Sequence, residues 1–195
     1  MATFTSLAAA LEAEVSSVRA LVVDANSSEA WTAWPEDLWR LEDLEVLRLN
    51  QPRARLPSAI RALRRLRVLE VSHSIQFVEA GIAELRELRE LTLGCAALRL
   101  PREVANLTLD RLTCRGAWDY SMELVARIPV RVNVTLVDGH PRAADELEAL
   151  DLPAWRALEE LEIDAFEDFE PTGFERKLPR CGFAINRKRK VDWTI

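Results

Sequence analysis

His73 and Cys95 stand 22 residues apart, and Gln51 stands 22 residues before His73. In a chain whose segments repeat at that interval, the three fall in one column on neighbouring units. A histidine beside a cysteine can take the thiol proton and leave a thiolate nucleophile, and Gln51 could orient the imidazole. The plainer alternative is a surface histidine and a half-buried thiol in a turn. A repeat produces such coincidences of spacing easily, so the expectation is a chain without catalytic residues. The other histidine, His140, is too distant to complete a metal set, and no CxxC occurs. Neither GxGxxG nor GxxxxGKS is present, so no phosphate-cradling loop or cofactor is implied.

The elements that would position such a column show as a leucine pattern. Leu38, Leu41, Leu44, Leu47 and Leu49 recur as Ile60, Leu63, Leu66, Leu69 and Val71, and again as Ile82, Leu85, Leu88, Leu91 and Leu93. Each step is 22 residues (38 to 60 to 82). An interval in this range marks a solenoid, whose units stack because none can bury its apolar face alone. A turn marker opens each unit: Trp34-Pro35, Leu56-Pro57, Val78-Glu79 and Leu100-Pro101. A helix-compatible segment follows, with proline tolerated near its start because the missing donor has no intrahelical partner there. A short strand closes the unit. Alternation turns Leu47 and Leu49 inward and Arg48 outward. The unit opening at Leu100 shortens by one residue, so that Leu112 follows Leu91 by 21 and Cys114 takes the second inward strand position.

Composition sets the outer bounds. The 195 residues suffice for one elongated domain, and a net charge of −6 disfavours general nucleic-acid binding. The start carries Glu12 and Glu14 without a basic stretch, which argues against a secretory signal. No apolar run has the length of a membrane span. Three scattered cysteines make no disulfide framework, so a cytoplasmic setting is expected. Residues 1–29 read as an N-terminal cap with an atypical first repeat. Leu7, Leu11 and Val15 give a helix over 1–17 its apolar face, capped by Thr5 or Ser6. Regular units occupy 30–116 and irregular ones 117–165. Ile128 to Leu136 alternates as a strand of uncertain register, and the pattern returns from Leu152 to Ile163. Residues 166–195 read as a C-terminal cap containing Phe166, Phe169, Phe174 and Phe183. A basic run, Arg187 to Lys190, and a possible short strand, Val191 to Ile195, complete it.

The run Leu56-Pro57-Ser58-Ala59-Ile60 through Leu63, Leu66, Leu69 and Val71 resembles a leucine-rich repeat of the LPxxIxxLxxLxxLxL kind. Trp34 to Leu49, Val78 to Leu93 and Leu152 to Ile163 match with decreasing fidelity. The resemblance implies an α/β leucine-rich-repeat solenoid, with a parallel sheet on the concave face, helical arcs on the convex face and a cap at each end. It implies protein recognition in most members and no shared catalytic residues. The family usually places Asn three residues after the second strand leucine. Pro52, Ser74 and Ala96 stand there in this chain, so its turns must be satisfied differently.

Stacking in register would align the outward strand positions about 4.8 Å apart. One column then reads Arg48, Glu70, Thr92, Thr113, with Glu162 further along. A second reads Val46, Val68, Glu90, Arg111. A third reads Glu45, Arg67, Arg89, with Asp110 next. Their signs alternate, so Arg48 should pair with Glu70 and Glu45 with Arg67. The same face could be a self-paired solvated sheet, or a recognition surface with Val46 and Val68 as apolar contacts. Trp118 and Tyr120, where the regularity breaks, are further contact candidates.

Charge is also segregated along the chain. Arg48, Arg53, Arg55, Arg61, Arg64, Arg65 and Arg67 have no acid between them, whereas residues 145–170 hold eleven acids and one base, Arg156. Without interleaved aromatics, the arginines argue only weakly for nucleic acid. Trp34 and Trp155 read as core, and Trp31 and Trp39 as possible exposed anchors. The expected function is a non-catalytic adaptor, regulator or inhibitor, weakly suggested to be bacterial, that binds a protein partner through the concave sheet. A Cys95/His73 enzyme and a self-assembling structural protein are the alternatives.

Overall fold

A spacing of three residues between buried leucines matches the 3.0-residue turn of a 3-10 helix better than the 3.6-residue turn of an α-helix. The computed structural model describes residues 3–23, 31, 33–50, 55–71, 75, 77–94, 99–115, 122–137, 149–166 and 172–188. In it Glu36–Arg40, Ser58–Ala62, Ala80–Glu84 and Arg102–Asn106 are all 3-10 helices. The leucine ladder carries their hydrogen bonds onward. The Leu38 N–H donates to the Pro35 carbonyl, Leu41 to Leu38 and Leu44 to Leu41. Ile60, Leu63 and Leu66 repeat the series, as do Ile82, Leu85 and Leu88. Pro35, Pro57 and Pro101 sit one residue before their helices with extended backbone, where only a carbonyl is required of them. The expected helical arcs are therefore 3-10 turns. The α-helices of the described residues are short: α1 (Leu7–Glu12), α2 (Met122–Val125) and α3 (Thr172–Lys177).

The strands are β1 (Thr3–Phe4), β2 (Ala20–Val23), β3 (Val46–Leu49), β4 (Arg55–Leu56), β5 (Val68–Val71), β6 (Phe77–Val78), β7 (Glu90–Gly94), β8 (Leu109–Arg115), β9 (Val130–Val137), β10 (Glu160–Phe166) and β11 (Gly182–Lys188). Among the described residues, nine form one parallel sheet in the order β1-β2-β3-β5-β7-β8-β9-β10-β11. β4 and β6 pair separately, also parallel. One carbonyl at each step takes two amides of the next strand. Arg19 accepts from Glu45 and Val46, Glu45 from Arg67 and Val68, Arg67 from Arg89 and Glu90, and Arg89 from Asp110 and Arg111. None of the leucine-pattern residues between Leu38 and Leu93 is more than 1% exposed. Burial on that scale stabilises by about 1.5–3 kcal/mol per side chain.

Neighbouring segments also complete one another's turns. Pro57 offers no side-chain acceptor to the 3-10 helix it precedes. Instead the Ser58 N–H donates to Glu79 Oε2 at 2.8 Å, and Arg55 Nη1 donates to Glu79 Oε1 at 3.0 Å. The Ser58 amide first, and the Arg55 guanidinium after it, hold the Glu79 carboxyl below its ordinary value of 4.5. A depressed folded pKa stabilises the fold above the unfolded value, and that contribution is lost as pH falls through the folded one. Glu79→Gln should therefore cost about 0.5–1 kcal/mol at neutral pH, allowing for solvent screening. Thermal melts should show the difference shrinking below about pH 4. A pH-independent difference would assign the loss to packing instead.

Several expectations need correction. The N-terminal helix is shorter than 1–17. It leaves α-geometry at Ala13, which is extended, and Val15–Ser17 forms a separate 3-10 turn. Ser6 is its cap, accepting from the Ala9 N–H at 3.1 Å. Trp31 is not an exposed anchor. It is 8% exposed and packs against Trp34 with ring centroids 6.5 Å apart. Trp34 stacks on half-buried Trp39 at 5.7 Å and donates its indole N–H to the Arg55 carbonyl. β9 takes the register left open for 128–136. A shift between Leu109 and Arg111 absorbs one residue, so Leu112 faces Val134 and Cys114 faces Leu136. That irregularity leaves Val132 half-buried rather than inward.

At the C-terminal side Phe174 and Leu178 are buried, and Lys177 Nζ donates to the Leu150 carbonyl. Arg187 and Lys188 belong to β11. Phe169, Arg189, Lys190 and Val191 to Ile195 lie outside the described residues, as do Pro52, Ser74 and Ala96. Among the described residues no helix is long and apolar enough to cross a membrane.

Candidate functional site

Each strand of the sheet presents alternate residues to solvent, and the register sets them side by side. Val46, Val68, Glu90 and Arg111 form one row, continued by Asn133 and Glu160. Arg48, Glu70, Thr92 and Thr113 form the next, with Val22 before them and Thr135 and Glu162 after. Glu45, Arg67 and Arg89 immediately precede their strands and are joined by the repeating amide–carbonyl pattern. Arg48, Arg67, Arg89 and Arg111 are exposed, and the other candidates of these rows are half-buried. The candidate contacts thus share one face. Trp118 and Tyr120 lie outside the described residues, as do Gln51, His73 and Cys95.

The face grades in character across the strands. Val22, Val46 and Val68 make its β2–β5 side partly apolar. Thr92, Thr113 and Thr135 are register neighbours at its centre. Beyond them Asn133 Nδ2 donates to Glu160 Oε2 at 3.2 Å, and Thr135 Oγ1 lies 3.3 Å from Glu162 Oε2. Thr135 Oγ1 also donates to Asn133 Oδ1 at 2.7 Å. Asn133, Thr135 and Glu160 were missed in the sequence because the one-residue shift at β8–β9 hides their alignment. The alternation of Asn133 and Thr135 with Val134 and Leu136 was the available signal.

The ion pairs agree with one of two sequence expectations. Arg48 Nε is 3.5 Å from a Glu70 carboxylate oxygen. Glu45 pairs with Arg19 at 3.5 Å rather than with Arg67, which turns to Glu87 at 3.4 Å. Flexible side chains choose among acids on either side, and register alone does not select one. Three further arginines of the acid-free stretch are likewise paired laterally. Arg55 pairs with Glu79, Arg61 with Glu84, and Arg65 with Asp43. Each pair is exposed enough to contribute only about 0–1 kcal/mol.

Neither described cysteine has the setting of a nucleophile. Cys114 is 3% exposed in the core. Burial, with the Glu160 charge nearby, pushes the Cys181 thiol up to about 11, and it donates to the Gly182 carbonyl. Among the described residues no cluster of three or more His, Cys, Asp or Glu side chains could hold a metal ion. The face is built to make hydrogen bonds, ion pairs and apolar contacts.

The fold and this surface define the class as an α/β chain with a large parallel sheet and few helices. No protein-family model matches the chain, and a search of the curated proteins returns no match.

Proposed function

We propose that the chain is a leucine-rich-repeat solenoid acting as a non-catalytic protein-interaction module. It holds a protein partner against the solvent face of the sheet, as an adaptor, regulator or inhibitor in the cytoplasm. The observation that carries the proposal is the in-register alignment of Glu45, Val46, Arg48, Arg67, Val68, Glu70, Arg89, Glu90, Thr92, Arg111 and Thr113 on one face. Those residues mix charge, hydroxyls and apolar surface over several strands, the combination that gives a protein interface its specificity. The 3-10 helices supply the support, since each buries a large apolar side chain, Leu38, Ile60, Ile82 or Val104, on the core side of the sheet.

Inhibition by occlusion would require no chemistry of the chain itself. The test is affinity capture from the source organism's extract, followed by titration of each purified retained protein. Arg48→Glu and Arg111→Glu both substitute exposed positions on the face. Each should weaken binding by about tenfold or more at moderate salt, while the like charge it sets opposite Glu70 or Glu90 lowers the melting temperature by only about 2–4 °C. A partner that binds both variants like the parent chain would move the interface off this face.

A further inference from the structure

At the margin of the same face, a groove of about 350 Å³ opens between the turns that lead into β7 and β8. Arg86, Arg89 and Arg131 line it, together with Asn106, Thr108 and Asp110. Arg86 and Arg89 come from the turn entering β7 and Arg131 from β9, and all three are exposed. Among the described residues none of them lies within ion-pair distance of a carboxylate, although Arg67, the neighbour of Arg89 in its row, is paired with Glu87. Three guanidinium charges against the single Asp110 carboxylate leave the lining at a formal +2.

Arg89 is also held in place. Its Nη1 donates to the Leu88 carbonyl at 3.2 Å and reaches the Thr108 carbonyl at 3.4 Å. This leaves the Nε and Nη2 edge, the side of a guanidinium that takes both oxygens of a carboxylate in parallel hydrogen bonds. Anchoring by two carbonyls removes much of the ordering cost that a free arginine meets on binding.

We propose that this groove binds a carboxylate, presented by an acidic segment of the protein partner. The proposal rests on the reading of the sheet as a protein-binding face and adds the chemistry of one contact to it. The Nε and Nη2 edge of Arg89 matches the two coplanar oxygens of a carboxylate.

The test uses the full chain and a fluorescein-labelled hexaglutamate amide, followed by anisotropy at about 50 mM salt, where the screening length is still long. Saturable binding is expected, weakened about tenfold by Arg89→Gln and by Arg131→Gln. Arg176→Gln, the same charge change at an exposed site on α3, should leave it within about twofold. Acetate should compete more effectively than inorganic phosphate at equal ionic strength. No saturable binding, equal weakening by all three variants, or stronger competition by phosphate would overturn the proposal. Arg48→Glu should weaken capture of the native partner while leaving the hexaglutamate affinity within about twofold. The groove and the wider face therefore fail separately.

Discussion

Trp155→Ala should destabilise the chain by about 3–5 kcal/mol and lower its melting temperature by roughly 10 °C. Trp155 is 0% exposed in the 3-10 turn Pro153–Trp155 and donates its indole N–H to the Ile128 carbonyl at 3.1 Å. It therefore ties the segment entering β9 to the segment entering β10. Truncation removes a large buried surface and leaves the Ile128 carbonyl without that donor. Each strand of the sheet is bonded to its immediate neighbours in the strand order, so the damage should be local first. Hydrogen exchange should show protection lost in β9, β10 and β11 while β3, β5 and β7 keep theirs. Urea unfolding followed by circular dichroism should show an earlier, separate phase. A melt within about 1 °C of the parent chain would remove Trp155 from this structural role.

Gly81→Ala should be comparably damaging through excess volume, at about 3 kcal/mol or more. A Cβ on Gly81 would stand 2.2 Å from the Ser58 carbonyl oxygen and 2.6 Å from the Ser58 Cα. Both are backbone atoms of the preceding 3-10 turn, so no side chain can rotate away. The requirement is space between two packed turns. The same displacement would draw Glu79 from the Ser58 N–H it accepts, so the costs of Gly81→Ala and Glu79→Gln should be less than additive. Gly182→Ala is the matched control, because its Cβ would meet only the Glu159 carbonyl oxygen, at 3.5 Å. It should melt within about 2 °C of the parent chain. Equal tolerance of both alanines would show that the turns at Ser58 and Gly81 separate at little cost.

The legible part of this fold was the part in which every unit obeys one rule. Leu47, Leu69 and Leu91 are register partners because equal chain lengths separate them. From that follows the alignment of Arg48 with Glu70 and Thr92. Legibility fell where a unit departed from the common length. Alternation turns Asn133 and Thr135 outward, but the rows they continue are set by the shift between Leu109 and Arg111, a local backbone adjustment with no marker in residue type. The type of helix in the arcs is not legible for another reason. The i, i+3 leucines fit both helix types over one turn, and hydrogen bonding to the residue three back selects the tighter one.

From Leu38 to Leu93 the amino-acid order alone determined which leucine-pattern residues are buried and which lie side by side across the sheet, because both follow from a fixed interval and strict alternation. It also placed Arg48 against Glu70. Lateral contacts between units were decided only in three dimensions: Arg67 with Glu87 instead of Glu45, Glu79 on the Ser58 amide, and Gly81 against Ser58. The convergence of Arg86, Arg89 and Arg131 on one groove belongs with them. Such contacts depend on differences of an ångström or two in side-chain reach and backbone approach, a scale finer than any periodicity along the chain records.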